Sequence, residues 1–187
     1  MSDEVRALEH QIQELKTRLA QARRSAPPSE PIVDYAFALA SGGTTTLSSL
    51  FAGKRDLLII HNMGRKCPYC TLWADGLNGI RRHLENRAGL ALCSPDSPAV
   101  QKDFAALRAW GFRMVSPLGN SFIKDMGFEG ADGDVGPGVS AFRLGDDGAI
   151  TRVGSAGFGP GDNFCAAWHL FDLLRDGSNG WEPKYAY

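Results

Sequence analysis

Between residues 3 and 24, Val5, Leu8, Ile12, Leu15, Leu19 and Ala22 recur at alternating steps of three and four, with charged and polar side chains filling the gaps. This is a heptad a/d seam, and it predicts one amphipathic helix. The seam runs about two and a half heptads, and an isolated helix of that length is marginal in water, so it needs an apolar partner. Its own domain and a second chain, through the matching helix or the body, are the two partners the pattern allows. No polar residue interrupts the seam to set register or orientation.

Pro27, Pro28 and Pro31 then stop the helix and stiffen the chain into an extended linker. Beyond it the pattern changes. Residues 32–39 read as a strand, Ser41-Gly42-Gly43 as a turn and 44–50 as a lead into a short helical turn. Leu57 to His61 is an apolar, β-branched run of central-strand type. From Pro68 a helix carries Trp73, Leu77, Ile80 and Leu84 as one stripe, and Gly76 and Gly79 weaken it. Residues 90–93 form a second buried strand. Residues 98–110 form a helix with Val100, Phe104 and Leu107 on one face, and 112–115 a third strand.

Asn120 is placed to cap a short helix that ends at Gly127, and a Gly- and Asp-rich loop fills 129–138. Strands at 139–144 and 149–153 flank Gly145-Asp146-Asp147-Gly148, a hairpin signal. Gly154 to Gly161 is flexible in type, and Asp162 caps a last amphipathic helix. Alternating strands and helices followed by a hairpin and a helix predict an α/β class, a central mixed sheet with helices on both faces. The expected organisation is a helix over 1–26, serving as a candidate dimer contact; a Pro-rich linker over 27–31; one domain over 32–180; and a tail over 181–187.

Chemistry concentrates at Cys67-Pro68-Tyr69-Cys70, where the first central strand hands over to a helix through a turn carrying Arg65 and Lys66. The free N–H groups and macrodipole of a helix N-terminus favour a thiolate, and the two cations add positive potential, so Cys67 is placed for a lowered pKa. Pro68 suits the first helical turn. A C-x-x-C also serves as half of a zinc site, and buried cysteines are often inert. With no second C-x-x-C in the chain, and with Cys93 and Cys165 in apolar runs, a redox dithiol is the favoured reading of the three. No cofactor or metal is expected.

Around the pair, His61 is a candidate proton partner or a structural strand-end histidine, and Tyr69 faces substrate or covers the dithiol. Trp73 belongs to the apolar stripe. Asp75, off that stripe, is a candidate acid for moving protons to Cys70 or a solvated surface residue. Arg143 is a candidate anion contact or a solvent-facing side chain, and His169 falls on the outer face of the last helix.

The 187 residues hold 20 Lys and Arg against 21 Asp and Glu, a net charge of −1 that gives no general attraction to nucleic acid or anionic membranes. The charged start lacks the pattern of a secretory signal, and the longest apolar run is too short to span a bilayer. A cytoplasmic location is the expectation, where a dithiol is more often catalytic or sensory than structural.

The order of elements resembles the thioredoxin fold, and over about residues 32–175 it resembles its AhpC/TSA peroxiredoxin-like branch. Leu47-Ser48-Ser49-Leu50-Phe51, the stretch Trp110 to Ser116 and the stretch Phe142 to Gly148 carry the likeness. Cys67-Pro68-x-Cys70 followed by Trp73-Ala74-Asp75, behind a charged helix ending in Arg23-Arg24, is similar to an uncharacterised bacterial thioredoxin-like family. The four-residue motif alone is also that of glutaredoxins. The resemblance implies attack by Cys67 on a disulfide or oxidised thiol, resolution by Cys70, and a thiol reductant to restore the pair.

Two features of those relatives are missing. The place of the thioredoxin cis-proline falls at Val139, with Pro137 two residues away, and the Thr or Ser three residues before a peroxidatic cysteine is Gly64 here. The expected function is therefore a thiol–disulfide oxidoreductase. A dimeric redox-sensing or binding module without turnover is the alternative, and a peroxidase is disfavoured.

Overall fold

The computed structural model describes residues 2–117 and 119–187. Helix α1 (Asp3–Ser25) opens the chain, with the Ser2 hydroxyl accepting the Val5 N–H at its N-terminus. Strands β1 (Ala36–Leu39) and β2 (Thr44–Thr46), the single turn α2 (Leu47–Leu50) and strand β3 (Asp56–His61) follow. Next come α3 (Pro68–Gly79), α4 (Arg81–Arg87), β4 (Gly89–Cys93), α5 (Pro98–Leu107), β5 (Arg113–Ser116) and α6 (Phe122–Asp125). The hairpin β6 (Gly138–Leu144) and β7 (Ile150–Gly157) and the short α7 (Ala166–Phe171) complete the described chain.

The strands form one mixed sheet in the order β2-β1-β5-β4-β3-β6-β7. β3, β4 and β5 run parallel, and β6 joins β3 antiparallel with Ile60 opposite Val139 and His61 opposite Gly138. Because strand side chains alternate between faces, β3 feeds two cores. Leu57 and Ile59 join Phe37, Leu47, Phe51, Val115, Phe122 and Phe142 beneath α2 and α6. Ile60 joins Ala74 of α3, Leu90, Leu92, Ala105 of α5, Trp110 and Met114 on the other face.

Several boundaries differ from the sequence pattern. The helix expected to run through Leu84 breaks at Ile80, whose φ of −105° and ψ of 6° lie outside helical values. This leaves Ile80 48% exposed, while Leu77 and Leu84 still pack on the sheet. In α5 the buried positions are Gln101 and Ala105, and Leu107 is 78% exposed. Gln101 is buried because its amide donates to the carbonyls of Ser94, Asp96 and Val115, tying the helix to the ends of β4 and β5.

The first half of the 154–161 stretch is not loose, since β7 extends to Gly157, which pairs with Gly138. The residues after α1 are also held: Ser29 and Ile32 donate backbone N–H groups to the carbonyls of Arg152 and Ile150 along the outer edge of β7. α1 itself buries no residue.

Candidate active site

β3 and β4 end side by side, and the turns that leave them, 62–66 and 94–97, shape the approach to α3. Asn62 organises the first turn. Its backbone N–H donates to the Cys93 carbonyl, its Oδ1 accepts the Gly64 N–H at 2.8 Å, and its amide reaches the Cys70 carbonyl at 3.4 Å. Gly64 has φ +98°, which strains any other residue, and a Cβ there would stand 2.8 Å from the Asp96 carboxylate and push it aside. Asp96 in turn accepts the Arg65 N–H at 2.7 Å. The chain reaches Cys67 already bent into the helix start.

Cys67 is the N-cap of α3, and its Sγ accepts the Cys70 N–H at 3.1 Å. Hydrogen bonding from the Cys70 thiol, joined by the backbone N–H groups of Cys70 and Tyr69, lowers the Cys67 pKa to about 6 against the opposing effect of burial. Cys70 lies one turn in and is 2% exposed. Its hydrogen bond to Cys67 and its burial push its pKa strongly up. The two thiols are thus unequal: one half-buried and acidic, one buried and protonated. Both are free of a disulfide, as are Cys93 and Cys165. Burial raises Cys93 to about 12 and raises Cys165 as well. No group of three His, Cys, Asp or Glu side chains suited to a metal forms among the described residues.

The supporting residues expected from the sequence divide sharply. Trp73 is a buried residue of the dithiol helix itself, and its indole N–H donates to Asp162 at 2.8 Å. Its ring lies between Phe158 and Trp168, at 6.0 and 5.2 Å between centres. Tyr69 stacks on Trp168 at 6.2 Å, and its phenol pKa is raised by burial, with the Glu182 carboxylate adding to the effect. Arg65 and Lys66 are exposed. The lowered pKa of Cys67 comes from hydrogen bonds at the helix end and not from these cations.

His61 is not a proton partner of the dithiol. Alternation along β3 turns it to the face opposite α3, stacked 3.9 Å from the Phe128 ring and 5.6 Å from that of Phe122, with Nε2 at 2.9 Å from Ser140 Oγ. Burial, with the charge of Arg152, holds its pKa at about 3, so the ring is neutral. Gly138 makes room for this stack, since a Cβ there would stand 2.2 Å from the Phe128 ring.

Asp75 is not a proton relay to Cys70 either. It pairs with Arg108 and accepts the Trp110 indole N–H at 2.7 Å, locking α3 to the end of α5. Arg143 bonds Asp56 at 3.1 Å at the opposite end of β3, five residues or about 16 Å from His61, so it offers the dithiol no anion contact. Val139 lines a groove of about 590 Å³ under the last turn of α1, with Leu58 and Ala141. His169 is exposed as expected, with Nε2 at 2.7 Å from the Asp162 carbonyl.

Several residues of the site are invisible to sequence patterning. Asp162 Oδ1 accepts the N–H groups of Phe164 and Cys165, and its Oδ2 accepts those of Gly159 and the Trp73 indole. Asp162 does not cap the last helix as expected, since α7 begins at Ala166 with Cys165 as its N-cap and no side-chain cap; it closes the turn before that helix instead. The C-terminal segment folds back over the site. Trp181 packs on Trp168 and Phe171, Pro183 is buried, and Arg108 donates to the Tyr185 carbonyl at 3.0 Å. The Tyr185 ring meets that of Phe104 edge-on at 6.4 Å, and its phenol pKa is raised, by burial first and then by the dithiol's charge. No signal short of the fold brings residues 181–187 to residue 67.

Among solved structures, the peroxidoxin BcpB of Mycobacterium tuberculosis is similar over 66% of this chain and 81% of its own, with 19% identity and a TM-score of 0.53. Peroxiredoxin Q of Xanthomonas campestris is similar over 72% and 87%, with 20% identity and a TM-score of 0.54. A hypothetical protein of Sinorhizobium meliloti covers 86% and 89%, at 15% identity and a TM-score of 0.51. These likenesses establish a peroxiredoxin- and thioredoxin-like fold with an added N-terminal helix. No helix among the described residues is long and apolar enough to cross a membrane. No functionally curated protein matches the sequence. The family model for bacterial proteins of unknown function DUF899 matches residues 2–185, so the chain belongs to that family.

Proposed function

We propose that the protein is a thiol–disulfide oxidoreductase that uses Cys67 and Cys70. The observation that carries this reading is the asymmetry of the pair at one helix end: an acidic N-cap thiol held by N–H donors beside a buried thiol kept protonated. The Cys67 thiolate attacks one sulfur of a substrate disulfide. The substrate S–S bond breaks, one thiolate leaves, and a mixed disulfide with Cys67 forms.

Once Cys67 is in the mixed disulfide, the hydrogen bond to its thiolate, the largest cause of the raised Cys70 pKa, is gone, so Cys70 can give up its proton to water. It then attacks the Cys67 sulfur and releases the second substrate thiolate. The substrate gains two electrons, and the Cys67–Cys70 disulfide returns to the dithiol at the expense of an external thiol reductant.

Insulin or glutathione mixed-disulfide reduction tests this. Wild type is expected to turn over and Cys67→Ser not to, while Cys70→Ser accumulates the mixed disulfide. Equal rates in wild type and Cys67→Ser would sink the proposal.

The C-terminal segment, packed through Trp181 on the Trp168 that stacks on Tyr69, favours a second reading, a dithiol that senses thiol potential without turnover. Alkylation and mass measurement at controlled potentials separates the two: a pair that cycles while no substrate is reduced supports the sensor. A peroxidase is disfavoured, because residue 64 is a glycine at φ +98°, a backbone conformation that strains the Thr or Ser such an enzyme would carry there.

A further inference from the structure

α1 leaves the domain with its seam uncovered. Val5, Leu8, Ile12, Leu15 and Leu19 are 41%, 50%, 51%, 58% and 44% exposed, a row of large apolar side chains on one face of a 23-residue helix. Only the C-terminal turn, around Arg23 and Arg24, reaches the sheet. The hydrogen bonds of Ser29 and Ile32 to β7 anchor the linker behind it. The free seam lies off the body, where a second helix can align with it.

The charges beside the seam choose the partner and its direction. With Val5 at a and Leu8 at d, the flanking g positions are Glu4, Gln11 and Arg18, and the e positions are Glu9, Lys16 and Arg23. In a parallel pair each g residue meets the e residue five positions on. Glu4 would face the partner's Glu9, and Arg18 the partner's Arg23, with each contact repeated by symmetry.

In an antiparallel pair that uses the whole seam, Ile12 packs on the partner's Leu15, Leu8 on the partner's Leu19 and Val5 on the partner's Ala22. Glu9 then faces the partner's Lys16, and Gln11 the partner's Arg18. The acidic first turn of Asp3 and Glu4 also comes beside the basic last turn of Arg23 and Arg24, with the helix dipoles opposed.

We propose that α1 forms an antiparallel two-helix contact with α1 of a second copy of this chain. The helix is complementary to itself in one direction and self-repelling in the other. This contact is independent of the thiol chemistry.

Sedimentation equilibrium of the full-length protein over a wide concentration range tests it. Wild type is expected to dimerise reversibly and Ile12→Asp to be monomeric with an unchanged near-UV circular dichroism, which reports the domain because α1 has no Trp, Tyr or Phe. Glu9→Lys decides direction, since the new ammonium group meets the partner's Lys16 in the antiparallel pair but the partner's Glu4 in the parallel one. Roughly tenfold weaker dimerisation is expected, with restoration in the Glu9→Lys, Lys16→Glu double variant. A monomer at every concentration, tighter association of Glu9→Lys, no restoration in the double variant, or a dimer indifferent to Ile12→Asp would each overturn the proposal.

Discussion

Cys67 draws its acidity from a small number of hydrogen bonds, and these define what it should do in solution. With the thiol near pH 6 and Cys70 pushed far up, the reduced protein should incorporate one equivalent of iodoacetamide rapidly, with a rate that rises through a midpoint near pH 6. Cys67→Ser should remove that fast phase. A midpoint near that of an ordinary thiol would contradict the geometry at the helix cap. Gly64 is the second residue on which the site turns. Gly64→Ala forces a Cβ against the Asp96 carboxylate at a positive φ, so it should cost about 2 kcal/mol in urea unfolding and shift the alkylation midpoint upward as the turn moves. Gly64→Thr should do the same without producing peroxide turnover.

Among the elements, the C-terminal segment does what no amphipathic pattern announced. It follows α7, whose Leu170 is 60% exposed, and gains its hold through aromatic contacts. Trp181 sits 5.0 Å from Phe171, and Arg108 bonds the Tyr185 carbonyl. Ending the chain after Gly180 should cost about 1–3 kcal/mol, from the lost aromatic pairs and hydrogen bond, and should raise the alkylation rate of Cys67 as cover is removed. An unchanged rate would mean that the segment does not shield the dithiol. The hairpin β6–β7 was readable from its turn residues because that signal is local, whereas Asp162 closes a turn ahead of α7 and does not cap it. The Trp73 bond to Asp162 spans 89 residues, and no local signal predicts it.

For the whole molecule, the shifted thiols make stability depend on pH in two opposing ways. Cys67 has a lowered folded pKa, so between about pH 6 and 9 the unfolded chain binds a proton that the folded chain lacks, and stability of the reduced protein rises with pH there. Above about pH 9 the unfolded thiols ionise while the buried Cys70 and Cys93 hold their protons, and stability falls. Urea unfolding should therefore show a maximum near pH 9. The rise between about pH 7 and 9, above the range in which buried His61 adds its own, should be absent in Cys67→Ser and gentler than the limit of about 1.4 kcal/mol per pH unit for one proton, because Cys67 is partly solvated.

The α/β class, the strand-to-helix setting of the dithiol, the hairpin and the heptad helix could all be read from residue order. Each rests on short-range periodicity, capping or turn chemistry. The parity of β3 was equally present in the sequence, but which face receives α3 was not. That choice, made by long-range pairing of β3 with β4 and β6, sent His61 away from the thiols and Arg143 to the far end of the strand. Asp75 went to Arg108, and Asp96, Arg108 and Tyr185 came into the neighbourhood of the site, for the same reason. Local sequence determines which conformation a segment prefers, whereas the companions of a side chain follow from burial and pairing among segments distant along the chain.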